Sequence, residues 1–190
     1  MARTAPSQPA TRVVLTYDDL RATPDDGRRY ELLEGVLCVT PAPSTTHQRI
    51  SRNLGFVLHR YVSERGLGEV LNAPIDVILD PTTVVQPDLV FVAGARRGFI
   101  SERGIEGAPD LVVEILSPST AQRDRGIKQQ LYAHFGVAHY WCVDPASSTL
   151  LELVLTGAAY AVRATHGLGT PPLRSALFPE LPIDLTLVFP

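Results

Sequence analysis

Cysteine is scarce in this chain of 190 residues, with only Cys38 and Cys142, far apart and each inside an apolar run, VLCVT and YWCVD. Two such positions read as buried thiols rather than a disulfide framework. No histidine or cysteine cluster has zinc spacing either, so zinc and redox chemistry are set aside. Long apolar runs are missing as well. Nothing approaches the ~18 residues of a membrane span, and the first residues lack the apolar centre of a signal peptide, so the chain is expected to be soluble and cytoplasmic. Positive charge is in deficit, with 17 Lys and Arg against 20 Asp and Glu, a net charge of −3. That argues against strong nonspecific attraction to nucleic acid, which rests on phosphate neutralisation. No internal repeat, Gly-rich phosphate loop or G-x-S-x-G elbow is present.

What is present centres on Val84 to Asp144. Two β-branched runs, VVQPDLVFV and PDLVVEILSPST, each carry a carboxylate where a buried strand should have none: Asp88 opens the first and Glu114 closes the second. An unpaired buried carboxylate costs several kcal/mol, so both should meet a cation or strong donors. If the runs lie side by side, Asp88 and Glu114 converge at one sheet edge with the Ile115 carbonyl beside them. Two carboxylates and a carbonyl suit Mg²⁺ or Mn²⁺, since Mg²⁺ takes a few oxygen ligands and keeps its own waters. Pro118 then breaks the strand, and Ser119 or Thr120 is an N-cap for a helix over 121–135, ended by Gly136. Ile127, Leu131 and Phe135 mark its buried stripe, and Lys128 stands at the margin of that face, able to reach the carboxylates from the side.

Taken in order, residues 1–12 read as a mobile tail and 13–190 as one domain. A short helix is expected near Tyr17 to Ala22, and a hairpin over 30–40 with Glu34-Gly35 at its turn. Ser44 or Thr45 caps a helix over 46–65, with Ile50, Leu54, Val57, Leu58 and Tyr61 on its buried stripe. A strand over 72–79 comes next. The segment 93–107, with Arg96, Arg97 and Arg103 among glycines, suits a flexible loop over a cleft. Strands over 138–143, 150–155 and 159–162 build an antiparallel C-terminal extension, and PELPIDLTLVFP closes an edge strand. This order of elements predicts an α/β fold with a mixed central sheet flanked by helices.

The segments PDLVFV, PDLVVEILSPST and RDRGIKQQLYAHFGVAHYWCVDP together resemble the bacterial family of putative restriction endonucleases, a branch of the PD-(D/E)XK nuclease superfamily. The resemblance runs from about Tyr17 to Leu153. It implies a restriction endonuclease-like core and a metal-dependent phosphodiesterase, with Asp88 in place of the Asp of the PD pair and Glu114 in place of the D/E. Two residues after Glu114 stands Leu116, not the lysine of the parent pattern, and Lys128 is the natural replacement. The resemblance also includes an EG at Glu34-Gly35, which makes Glu34 a candidate extra acid, ranked above Glu31, although a solvent-facing turn residue is the bland alternative. It places a helix such as 46–65 beside the active site, which makes His47 a candidate accessory.

Arg96, Arg97, Arg123 and Arg125 are the candidate nucleic-acid contacts, clustered in sequence around the proposed site. Two functions compete. One is a Mg²⁺-dependent DNA endonuclease in which Asp88, Glu114 and Lys128 do the chemistry; the other is a catalytically silent module of the same fold that binds nucleic acid or protein. A homodimer is the expected assembly, on the commonness of C2 symmetry.

Overall fold

The computed structural model describes residues 13–190, so the segment 1–12 lies outside the described residues. A short helix α1 (Tyr17–Arg21) leads into the hairpin β1 (Arg29–Leu33) and β2 (Val36–Thr40), then the long helix α2 (Thr45–Glu64). Strands β3 (Gly68–Asn72), β4 (Val77–Asp80), β5 (Thr83–Val85) and β6 (Leu89–Ala93) come next, then a 3₁₀ turn (Gly94–Phe99) and the small hairpin β7 (Ile100–Ser101) and β8 (Gly104–Glu106). After β9 (Leu111–Ile115) come α3 (Ala121–Arg123), a π turn (Asp124–Lys128) and α4 (Gln129–His134). The meander β10 (His139–Asp144), β11 (Thr149–Thr156) and β12 (Ala159–Gly167) completes the strands.

These strands form two six-stranded sheets, ordered β2-β1-β5-β4-β8-β7 and β12-β11-β10-β9-β6-β3. The α/β class is as the sequence predicts, but one central sheet was expected and two are present. Two of the crossings between them fall where proline interrupts the ladder. In VVQPDLVFV, Gln86-Pro87 separates β5 in the first sheet from β6 in the second, because Pro87 has no N–H to offer. Pro74 likewise splits the expected strand over 72–79 into the end of β3 and β4, which lie in different sheets.

The second sheet is buried on both faces. Leu89 and Phe91 of β6 and Leu111, Val113 and Ile115 of β9 pack with Ile50, Leu54, Leu58 and Tyr61 of α2. Their alternating neighbours Val90, Val92 and Val112 pack with Leu131 and Tyr132 of α4 and with Leu33, Val77 and Val85 of the first sheet. The α2 stripe falls as periodicity predicts, except that Val57 is only half-buried; Ser44 caps the helix by accepting from the His47 N–H at 3.2 Å. The C-terminal segment does not form the expected edge strand. Leu173 and Ile183 share a single bridge, and Phe178, Leu181, Leu185, Val188 and Phe189 are buried against the α2 side of the core. Its prolines remove donors that a ladder needs, while its apolar residues still fill the interior.

The segment 121–135 departs from a regular helix. Between α3 and α4 the π turn adds a residue, which rotates the downstream side chains relative to α-helical spacing. Ile127, expected on the buried stripe, is exposed, and Asp124 and Lys128 turn inward instead.

Candidate active site

Asp88 and Glu114 meet because of strand register. Strands β6 and β9 are antiparallel with Leu89 opposite Val113 and Val90 opposite Val112, so one further pair sets Asp88 opposite Glu114. Directly opposed residues of an antiparallel pair share a face. Both acids therefore point to the side of the sheet that carries Val90 and Val112, toward α4 and the first sheet. They line a cleft of about 610 Å³ whose walls include Pro41 to Ser44, Ser117 to Thr120, and Asp144 to Ala146.

Each acid is buried and held. Asp88, 3% exposed, accepts from the Ile115 N–H at 2.8 Å and from Arg29 Nη1 at 3.2 Å, and its Oδ2 stands 3.1 Å from His47 Nε2. Burial alone would push its pKa up, but His47, the Ile115 N–H and Arg29 hold it below its ordinary value. Glu114 Oε1 accepts from the Tyr132 hydroxyl at 2.6 Å and lies 2.5 Å from Lys128 Nζ.

The Lys128 ammonium is the hub of a second group of acids. Besides Glu114 it contacts Glu31 Oε1 at 2.8 Å and Asp124 Oδ1 at 3.8 Å, all within a pocket that leaves Lys128 2% exposed. Burial works against its charge, yet Glu114, Glu31 and Asp124 raise its pKa above the ordinary value, so it stays an ammonium. Glu31 also accepts from the Gln86 N–H at 2.8 Å and lies 3.6 Å from Arg123. Burial opposes its charge, and Lys128, Gln86 and Arg123 together hold its pKa down. Asp124 is raised, chiefly by burial.

Glu114 takes the remainder of this imbalance. Burial, and then the charges of Asp124, Asp88 and Glu31, outweigh Lys128 and push its pKa up to about 8. Both donors of Glu114 address Oε1, and Oε2 has no hydrogen-bond partner among the described residues. The site therefore retains a proton at neutral pH, on an acid facing the cleft, where a cation would relieve the same crowding of negative charge. That donor set fits a divalent ion of the Mg²⁺ class, which needs only a few protein oxygens. Asp88, Glu114 and the adjoining Ile115 carbonyl would hold it. Among the described residues no three His, Cys, Asp or Glu side chains form a ready metal cage, because Glu31 and Asp124 turn to the Lys128 ammonium.

The remaining candidates separate. His47 reaches the site from the first turn of α2 through Asp88, and Arg123 and Arg125 line the cleft. Arg125 donates to Asp144 Oδ2 at 2.7 Å. Glu34 does not line the cleft: it is an exposed hairpin residue with φ 51°, next to Gly35 at φ 74°, the pair of positive angles a type I′ turn requires. Arg96 and Arg97 also lie away from it. The 93–107 segment is a structured 3₁₀ turn and hairpin rather than a loop over the cleft, and its cations are engaged by Asp110 at 3.7 Å and Glu69 at 2.6 Å. Leu116, two residues after Glu114, packs with the apolar cluster of Leu131 and Tyr132.

Glu31, Tyr132, Asp124 and Arg29 join the candidate cluster; of these the sequence had put forward only Glu31, and ranked it below Glu34. For Glu31 the signal was available: a carboxylate inside the apolar run YELL is the same anomaly that marks Asp88 and Glu114. Tyr132 carried no signal apart from lying one turn after Lys128.

Residues 16–186 match the sequence profile of the family described as Putative restriction endonuclease, Uma2. The fold is similar to that in the crystal structure of a putative nuclease belonging to DUF820 from Anabaena variabilis ATCC 29413, with a TM-score of 0.74 and 19% identity, covering 92% of this chain and 97% of that one. At that identity the likeness concerns the fold. No curated protein matches the chain.

Proposed function

The chain belongs to the Uma2 family of putative restriction endonucleases, and from that premise we propose that it hydrolyses DNA phosphodiester bonds with Mg²⁺ or Mn²⁺ held by Asp88, Glu114 and the Ile115 carbonyl. The observation that carries this reading is the register of β6 and β9, which sets the two acids opposite each other in a cleft, with a buried ammonium against one of them. When bound, the cation supplies positive charge against the phosphate and an acidified water.

The side chains then divide the remaining work. Asp88 is kept ionised and oriented by the Ile115 N–H, Arg29 and His47. Tyr132 and Lys128 hold Glu114 through Oε1 and leave Oε2 without a hydrogen-bond partner among the described residues. Lys128, kept charged by three acids, offers electrostatic stabilisation to charge building on the phosphate. His47 positions Asp88 from the other side. A C2 dimer would present two such clefts to the two strands of a duplex.

The competing reading, a silent binding module of the same fold, draws on Leu116 at the parent lysine position and on the engagement of Lys128 by carboxylates. Calorimetric titration of Mn²⁺ into the wild type and Asp88→Ala, beside a plasmid cleavage assay, separates the two. The nuclease reading expects cation binding and cleavage in the wild type and loss of both in the variant. A wild type that binds no cation and cuts nothing would leave the silent module.

A further inference from the structure

The cleft holds two guanidinium groups whose donors exceed their acceptors. Arg29 on β1 is the cross-strand partner of Thr40 on β2, so the two share a face of the first sheet. Arg123, arriving from α3, donates through Nη2 to the Thr40 hydroxyl at 2.8 Å. Thr40 thus brings two arginines from separate elements to the same side of the cleft, and like charges gathered in a partly dry site repel. Their nearest carboxylates offset this only in part. Asp88 meets Arg29 at 3.2 Å, and Glu31 meets Arg123 at 3.6 Å while giving its other oxygen to Lys128.

The Nε–H of Arg29 and the Nε–H of Arg123 are both buried and have no acceptor among the described residues. Each side chain is 20% exposed, and both line the cleft. Guanidinium groups present donors in a fixed fork that matches phosphate oxygens, and a buried donor left without an acceptor is unfavourable.

We propose that Arg29 and Arg123, bridged by Thr40, form a phosphate seat beside the Asp88–Glu114 pair, taking a backbone phosphate of the nucleic acid strand under attack. This rests on the nuclease reading for the identity of the strand, but the seat itself requires only the phosphate group. In a chain of net charge −3, such a local seat supplies attraction that the overall charge does not.

The test has two arms. In the first, inorganic phosphate is titrated calorimetrically into metal-free wild type, Arg29→Met, Arg123→Met and the charge-retaining lysine variants, with near-ultraviolet circular dichroism checking the fold. Binding is expected in the wild type, at least tenfold weaker in either methionine variant, and partly retained in the lysine variants, which keep charge but lose the fork. In the second, affinity for an oligonucleotide is measured against salt in the same proteins. Each methionine variant should lower the slope of log K against log salt by about 0.7 to 0.9, one phosphate contact. Wild type that takes no phosphate, or folded methionine variants with wild-type phosphate affinity and salt slope, overturns the seat. DNA cleavage that proceeds with unchanged KM in both variants removes the seat and leaves the nuclease reading. Phosphate binding that depends on both arginines, in a protein that cuts nothing with Mn²⁺, leaves the seat and removes the nuclease.

Discussion

The second sheet buries acid on both of its faces, and the two faces treat it differently. On the α2 side Glu152, 1% exposed, lies opposite Trp141 and accepts from the Ser175 hydroxyl at 2.5 Å, with Arg163 at 3.6 Å and His166 at 3.9 Å. One carboxylate there has the Ser175 hydroxyl as its donor and the cation of Arg163 beside it, and the bond from Ser175 ties the C-terminal segment to β11. On the other side Glu31, Glu114 and Asp124 share the single ammonium of Lys128, and Asp88 and Glu31 each meet a partly engaged arginine, at the wall of a cleft. A buried acid is therefore not by itself a sign of chemistry. An excess of carboxylates over nearby fixed cations, with an opening to solvent, is.

The comparison breaks first at Lys128. Lys128→Met is expected to slow cleavage by roughly a hundredfold or more, the scale of losing one electrostatic stabiliser, while cation affinity, read at a pH high enough that Glu114 carries no proton, stays similar or rises slightly as a competing cation leaves. Single-turnover kinetics and calorimetry read the two effects separately, and a variant cutting at the wild-type rate would take Lys128 out of the mechanism. On the opposite face, Glu152→Gln should cost about 1–3 kcal/mol of stability in urea unfolding, by weakening the hydrogen bond that holds Ser175, with cleavage per folded molecule unchanged.

The third effect is in protons. With its folded pKa raised to about 8, Glu114 holds a proton below that pH, and a cation that needs its carboxylate must expel it. Cation affinity should rise about tenfold per pH unit between pH 6 and 8 and level off above. Calorimetry in buffers of different ionisation enthalpy should show close to one proton released near pH 6.5 and almost none at pH 9. Equal affinity across that range would mean that Glu114 is already ionised or that it is not a ligand.

The site was partly legible because anomalies survive translation into three dimensions. A carboxylate at each end of an apolar run identifies Asp88 and Glu114 without a structure, and antiparallel pairing then brings them to one face. Lys128 could be suspected from its place at the margin of the helix stripe, and again as a substitute for a lysine missing at Leu116. Arg29 and Tyr132 were not legible, since their roles come from pairings as distant as Arg29 with Asp88, and local pattern carries no record of those. Glu34 drew attention because hairpin turns are easy to see, whereas Glu31, three residues before it, is the acid that reaches the cleft. The α/β class and the long helix α2 come from periodicity. The division into two sheets depends on which strands pair across the chain, and prolines mark only where a crossing is permitted. The C-terminal segment shows the same limit, because its apolar residues predict burial without saying whether a strand or an irregular path delivers them.

The π turn at Asp124–Lys128 carries one residue more than a regular helix would place in the same span. Each residue advances an α-helix by about 100°, so with one removed, Gly126 for instance, Asp124, Lys128 and Tyr132 would still fall within about 60° of one another. The inward face is kept with the extra residue as it would be without it, so length at this point is freer than chemical identity, and the chain can lose a residue here without parting its charged hub.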